Sequence, residues 1–233
     1  ACLKSSSLAV ELARQFQSQL HVLHLTTADE LFLFEKGDLR NKKITAEVCV
    51  HHLSFSKKDY ERLGGKIKCN PSIKEESDRL ALVDAVKNDL IDIIATDHAP
   101  HTLDEKNKGS YFQVPSGVPL VQHALLKLLE FYHDKVFTLE KIVEKTSHNI
   151  AKRFQVKERG FIREGYWADL VLVDFNKPYI VTPESLYYKC RWSPFTGDKF
   201  RSQIKSTFVN GQMMCDEGKI LSDYKGKALE FER

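Results

Sequence analysis

The chain is short of the features that define several protein classes. Its five cysteines, Cys2, Cys49, Cys69, Cys190 and Cys215, are odd in number and widely spaced, with no Cys-x-x-Cys pair. That pattern argues against a disulfide framework or a zinc ribbon and for a reducing compartment. No apolar run approaches the roughly 20 residues of a membrane span, and the first residues do not read as a charged-then-apolar signal segment. The net charge is only +3 and the lysines are scattered, so no basic tract interleaved with aromatics points to nucleic acid. Internal repeats and low-complexity segments are absent as well. What remains, at 233 residues with 42% hydrophobic and 29% charged, is a globular chain of one large or two smaller domains, for which the cytoplasm is the expected compartment.

The hydrophobic pattern alternates strands with helices. Leu8, Leu12 and Phe16 recur at helical spacing, and Ser5 to Ser7 offer N-caps. Leu20 to Leu25, Ile44 to Val50 and Ile91 to Ala95 read as buried strands. Helices are expected over 28–34, 56–63 and 74–90, and Asn70-Pro71 breaks the chain between the last two. Strand, helix, strand, helix, strand implies parallel βα units. A complete βα barrel takes about 250 residues, so the 97 residues up to Asp97 hold about three strands rather than eight. Beyond them, 102–116 is rich in charge, Gly and Pro and suits a lid, and helices are expected over 118–132 and 139–154. From residue 160 the texture turns β-rich: Ala168 to Asp174 and Ser206 to Gly211 are β-formers, Asn210-Gly211 is a hairpin signal, and 219–221 returns the chain. The expected domains are therefore 1–159, α/β, and 160–233, β-rich.

The most informative run is Ile94-Ala95-Thr96-Asp97-His98-Ala99-Pro100-His101. It sets a carboxylate and two imidazoles at the C-terminal end of an apolar strand, where α/β enzymes keep their chemistry. Asp97 as a simple turn cap is the plainer alternative. A lone His ending a strand, such as His24, is by itself more often a satisfied core residue than a ligand. His51 and His52 divide evenly between a structural bond and a supporting role. Cys49 and Cys69 read as core thiols, His123 and His148 as structural, and Asn70 as a turn residue or a substrate contact.

Asp97 to His101 is similar to the signature that closes strand eight in dihydroorotases. His21-Val22-Leu23-His24-Leu25-Thr26-Thr27 resembles their strand-six motif, and Thr45 to Leu53 resembles strand seven, with Val50 where many relatives carry Pro. Asn70-Pro71 resembles the substrate loop. Ala168 to Asp174 and Ser193-Pro194-Phe195 with Gly197 resemble the β-sandwich. The resemblance implies the last three strands of a (β/α)8 amidohydrolase barrel followed by a β-rich module. It implies two Zn2+ ions per complete site, with His24 and Asp97 as metal ligands and Asp97 also as the proton shuttle. Asn70, His101 and the Ala99 backbone would bind the substrate, and the reaction would interconvert N-carbamoyl-L-aspartate and L-dihydroorotate. The strand-one His-x-His, the carboxylated lysine and the strand-five histidine have no counterpart, so the chain is expected to be a fragment, inactive alone and prone to self-association. The alternatives are a hydantoinase or allantoinase, or a non-catalytic scaffold related to dihydroorotase.

Overall fold

The computed structural model describes residues 1–232. Contacts divide the chain into two compact units, Ala1–Ala124 with Thr182–Thr196, and Leu125–Val181 with Gly197–Arg233. This division does not follow a boundary at residue 159/160. The helical segment from Leu125 groups with the β-rich segment, and Thr182–Thr196 groups with the α/β segment.

In the first unit, helix α1 (Cys2–Gln15) leads into β1 (Leu20–Val22). Next come β2 (Ile44–Cys49), α2 (Val50–Ser54), α3 (Tyr60–Leu63), α4 (Glu76–Lys87) and β3 (Ile93–Ala95). The three strands form one sheet in the order β1-β2-β3, parallel throughout, with Leu20 opposite Ile44 and Glu47 opposite Ile93. β2 is central, and Ala46, Val48 and Cys49 are fully buried, as expected of a parallel strand covered on both faces. Between β1 and β2, residues 28–33 form a 3-10 helix opened by a Thr27–Glu30 capping box. Beyond β3, a single turn α5 (Leu103–Lys106) interrupts the expected loop, its Thr102 Oγ1 accepting from the Glu105 N–H.

Beneath the sheet, Asp92 ties β2 to β3. Its Oδ2 accepts the Ala46 N–H at 3.0 Å and its Oδ1 pairs with Lys42 Nζ at 2.7 Å, both side chains being buried. Phe195 is completely buried and stacks on Phe55 with ring centroids 5.4 Å apart. Ser193-Pro194-Phe195, read from sequence as sandwich, thus packs within the first unit.

α1 departs from expectation in its buried face. Val10 and Ala13 are buried, whereas Leu8, Leu12 and Phe16 are exposed. Among the described residues the outer edge of β1 has no strand partner. An open sheet edge beside exposed apolar side chains favours association, so light scattering on the purified chain is expected to report dimers or larger species. A cooperative monomer at high concentration would overturn this.

The second unit holds α6 (Ala124–His133, from Leu125 on), α7 (Leu139–Val143), α8 (Asn149–Phe154), and strands β4 (Leu170–Asp174), β5 (Tyr179–Ile180), β6 (Lys199–Phe200), β7 (Gln203–Val209), β8 (Gln212–Asp216) and β9 (Lys219–Ile220). β4-β7-β8-β9 form one antiparallel sheet and β5-β6 a separate pair. The β7–β8 turn has Asn210 and Gly211 both at positive φ, 50° and 81°, which is the backbone its Asn-Gly sequence favours. Arg159 anchors this turn, donating to Asn210 Oδ1 and pairing with Asp169.

Candidate active site

Because β1, β2 and β3 are parallel, their C-terminal ends open on one side, and the sequence puts its polar groups there. His24 lies two residues beyond β1, Asp97 two residues beyond β3, and β2 runs directly into Val50-His51-His52. His24 and Asp97 both sit in the left-handed region, with φ of 41° and 44°. Left-handed backbone carries a penalty for a residue with a Cβ, smaller for Asp and His than for most. Asp97 is exposed and His24 half-buried.

At the junction of β2 and α2 lies a buried cluster of Cys49, His51 and His52. Burial, aided by neighbouring charges that include His24, pushes the His51 imidazole well below its usual value. Burial likewise takes His52 down to about 4, against a raising bond to the Pro71 carbonyl and with a smaller lowering by His24. Burial, then Glu47, then Asp97 push the Cys49 thiol up. Cys69 is raised to about 12, mainly by burial and with Asp97 contributing. Asn70 is exposed on the next residue, ahead of Pro71.

The rest of the signature is held by packing. His98 Nδ1 accepts the Leu120 N–H at 3.0 Å and its ring lies 5.3 Å from that of Tyr188. The Ala99 N–H donates to the Val118 carbonyl, leaving the Ala99 carbonyl as the group free to meet a ligand. Gly117 lies against that carbonyl, where an added Cβ would come within 2.3 Å of the oxygen. His101 Nε2 is 3.1 Å from the Ser116 carbonyl and Nδ1 is 3.6 Å from Glu105, while its own carbonyl accepts from Trp192 Nε1. The imidazole is thus directed at the loop rather than left open. His21 bonds Thr45 and Glu47, which ties β1 to β2.

Sequence reasoning missed Lys106. Its side chain is buried, and Nζ donates to the carbonyls of Lys68, Pro115 and Gly117 at 2.9–3.0 Å. Burial takes the amine down to about 8. One ammonium thereby fastens the segment before Asn70 to the loop beneath Ala99, converting the expected lid into a pinned segment. No local pattern could reveal this, since the Lys68 acceptor lies 38 residues away. Lys106→Met keeps the stem and removes the donors. It is expected to destabilise the unit by about 1–3 kcal/mol and to speed amide exchange over 110–118, measurable by hydrogen–deuterium exchange; unchanged exchange would overturn the pinning role.

Among the described residues neither His24 nor Asp97 has a hydrogen-bond or ion-pair partner. An unengaged imidazole and an unengaged carboxylate suit a zinc-like cation, but a stable zinc site takes three or four protein ligands. The pair therefore fits as part of a donor set. A groove of about 930 Å³ lies elsewhere, lined by Lys57, Tyr60, Gly65, Ile73, Lys108 and Tyr111 among others.

The chain is similar to known proteins over nearly its whole length. An allantoinase of Desulfitobacterium hafniense (strain Y51) is 33% identical over 228 residues, covering 97% of this chain and 51% of that protein. A dihydroorotase of Pyrococcus horikoshii is 32% identical over 224 residues, covering 96% and 51%. An L-hydantoinase (dihydropyrimidinase) from Arthrobacter aurescens superposes with a TM-score of 0.87 at 23% identity, covering 94% of this chain and 49% of that one. The chain spans about half the length of the relatives it matches. The model of the amidohydrolase family matches residues 9–214, and the chain belongs to that family.

Proposed function

We propose that this chain supplies strands six to eight of a (β/α)8 amidohydrolase barrel over 1–159, followed by a β-rich module over 160–233, and that the whole enzyme is a zinc-dependent dihydroorotase of pyrimidine biosynthesis. One observation carries the reading: His24 and Asp97 stand two residues beyond parallel strands, in left-handed backbone, with neither side chain engaged. A bound zinc supplies Lewis acidity at the amide carbonyl and a water acidic enough to be a nucleophile near neutrality. His24 and Asp97 would hold it. Asp97 takes the proton of the attacking water and passes it to the ring nitrogen as the amide C–N bond breaks. Asn70 meets the ring amide, and the Ala99 carbonyl accepts its N–H. His101 binds the substrate carboxylate, for which it must exchange the Ser116 carbonyl it now holds.

The His-Ala-Pro-His run after Asp97 favours dihydroorotase, while the 33% identity to an allantoinase supports a second reading as an allantoinase or hydantoinase. Assays of the whole enzyme with dihydroorotate, allantoin and hydantoin separate them. The highest kcat/KM is expected for dihydroorotate, and preference for another ring overturns the assignment. The 233-residue chain alone, with two donors, is expected to turn over none of the three with zinc supplied.

A further inference from the structure

We infer that Cys49, His51 and His52, at the junction of β2 and α2, form a binding site for a thiophilic divalent cation of the zinc class. One donor atom from each residue lies within 4.8 Å of the others, and all three residues are buried. Neither His24 nor Asp97 is among these donors.

The hydrogen-bond pattern separates this cluster from ordinary core packing. Both ring nitrogens of His51 are buried and lack a partner, and so is His52 Nδ1. Buried polar atoms in native proteins are nearly always satisfied, and three orphans on two adjacent residues call for an acceptor of lone pairs. His52 is prepared for that role. Its Nε2 sits 3.0 Å from the Pro71 carbonyl, which can only accept, so Nε2 carries the hydrogen and Nδ1 presents its lone pair. A ligand histidine steadied by a backbone carbonyl on its far nitrogen is the usual outer support of a metal site. His51 lies beside it, the ring centroids 4.1 Å apart. Cys49 adds a thiol with no partner among the described residues.

One sulfur and two imidazoles suit zinc, and copper or cobalt as surrogates, far better than magnesium or calcium. Ligand atoms around tetrahedral zinc stand at about 2.0–2.3 Å from the metal, so closing the cluster takes only small side-chain shifts. On binding, the Cys49 S–H breaks, the thiolate takes the metal, and the proton leaves to solvent. Cys69, whose Sγ is 3.9 Å from His52 Nε2, flanks the cluster.

The test is cobalt titration of the chelator-treated 233-residue chain. One equivalent of Co2+ is expected to produce tetrahedral d–d bands and a thiolate-to-cobalt charge-transfer band in the near ultraviolet. Cys49→Ser, nearly unchanged in volume, should abolish the charge-transfer band, and Asp97→Asn should leave it intact, so this inference and the proposed catalytic role of Asp97 fail separately. Absence of the charge-transfer band, or its survival in Cys49→Ser with native circular dichroism, overturns the site. Should Cys49→Ser not fold, X-ray absorption of the zinc-loaded wild-type chain decides. One sulfur with two imidazole nitrogens supports the site, and a sulfur-free shell refutes it.

Discussion

Asp97→Asn is expected to lower turnover of the whole enzyme by roughly 10²–10⁴-fold, the range of a positioned general acid–base group, and by more if metal is lost as well. The substitution is unusually clean here. Asp97 has a φ of 44°, and Asn is among the few residues that accept left-handed backbone readily. The variant should therefore fold as the parent does and differ only in charge and proton affinity. His101→Ala provides the contrast, because a group that binds the non-reacting carboxylate should raise KM and leave kcat nearly unchanged. Steady-state kinetics of both variants with measured zinc content check the split. If Asp97→Asn raised KM alone, the proton shuttle would have to be another residue.

Asp92→Ala should cost about 3–5 kcal/mol of stability, the range for breaking a buried ion pair by removing one partner. Lys42 would be left as an unpaired buried ammonium, and the Ala46 N–H on the central strand would lose its acceptor. Denaturant unfolding at neutral pH measures this as a lower midpoint at unchanged slope. Replacing Lys42 and Asp92 together by apolar residues of similar volume should recover most of the loss, since the penalty lies chiefly in the stranded partner. A loss below 1 kcal/mol for Asp92→Ala would mean that water reaches Lys42.

The parallel sheet was legible in the sequence because β2 and β3 are apolar runs with turn residues between them, and the Asn210-Gly211 hairpin because its chemistry is local. The positions of His24 and Asp97 after strands followed from the same runs, whereas Asn70 follows a 3-10 turn over Gly64–Ile67. What escaped depends on distant partners. Val50 continues an apolar run by composition, yet the chain turns into α2 there, which puts His51 and His52 in the core. Residues 118–123 carry helical spacing, but Val118 bridges to His98 and the helix starts only at Ala124. His101 appears open in sequence, and only the folded loop supplies the Ser116 carbonyl and Glu105 that hold it. The side of α1 that is buried, and the three carbonyls around Lys106, are likewise set by neighbours that no local window contains.

The left-handed backbone at residues 24 and 97 also bears on how this protein can be improved. Gly at either position would relieve the conformational penalty and is expected to be neutral or favourable for folding. A selection for thermal tolerance alone would therefore enrich glycine at residues 24 and 97, while an assay of chemistry would reject it. Stabilised variants should be sought with both positions held fixed, because there the demands of folding and of function point in opposite directions.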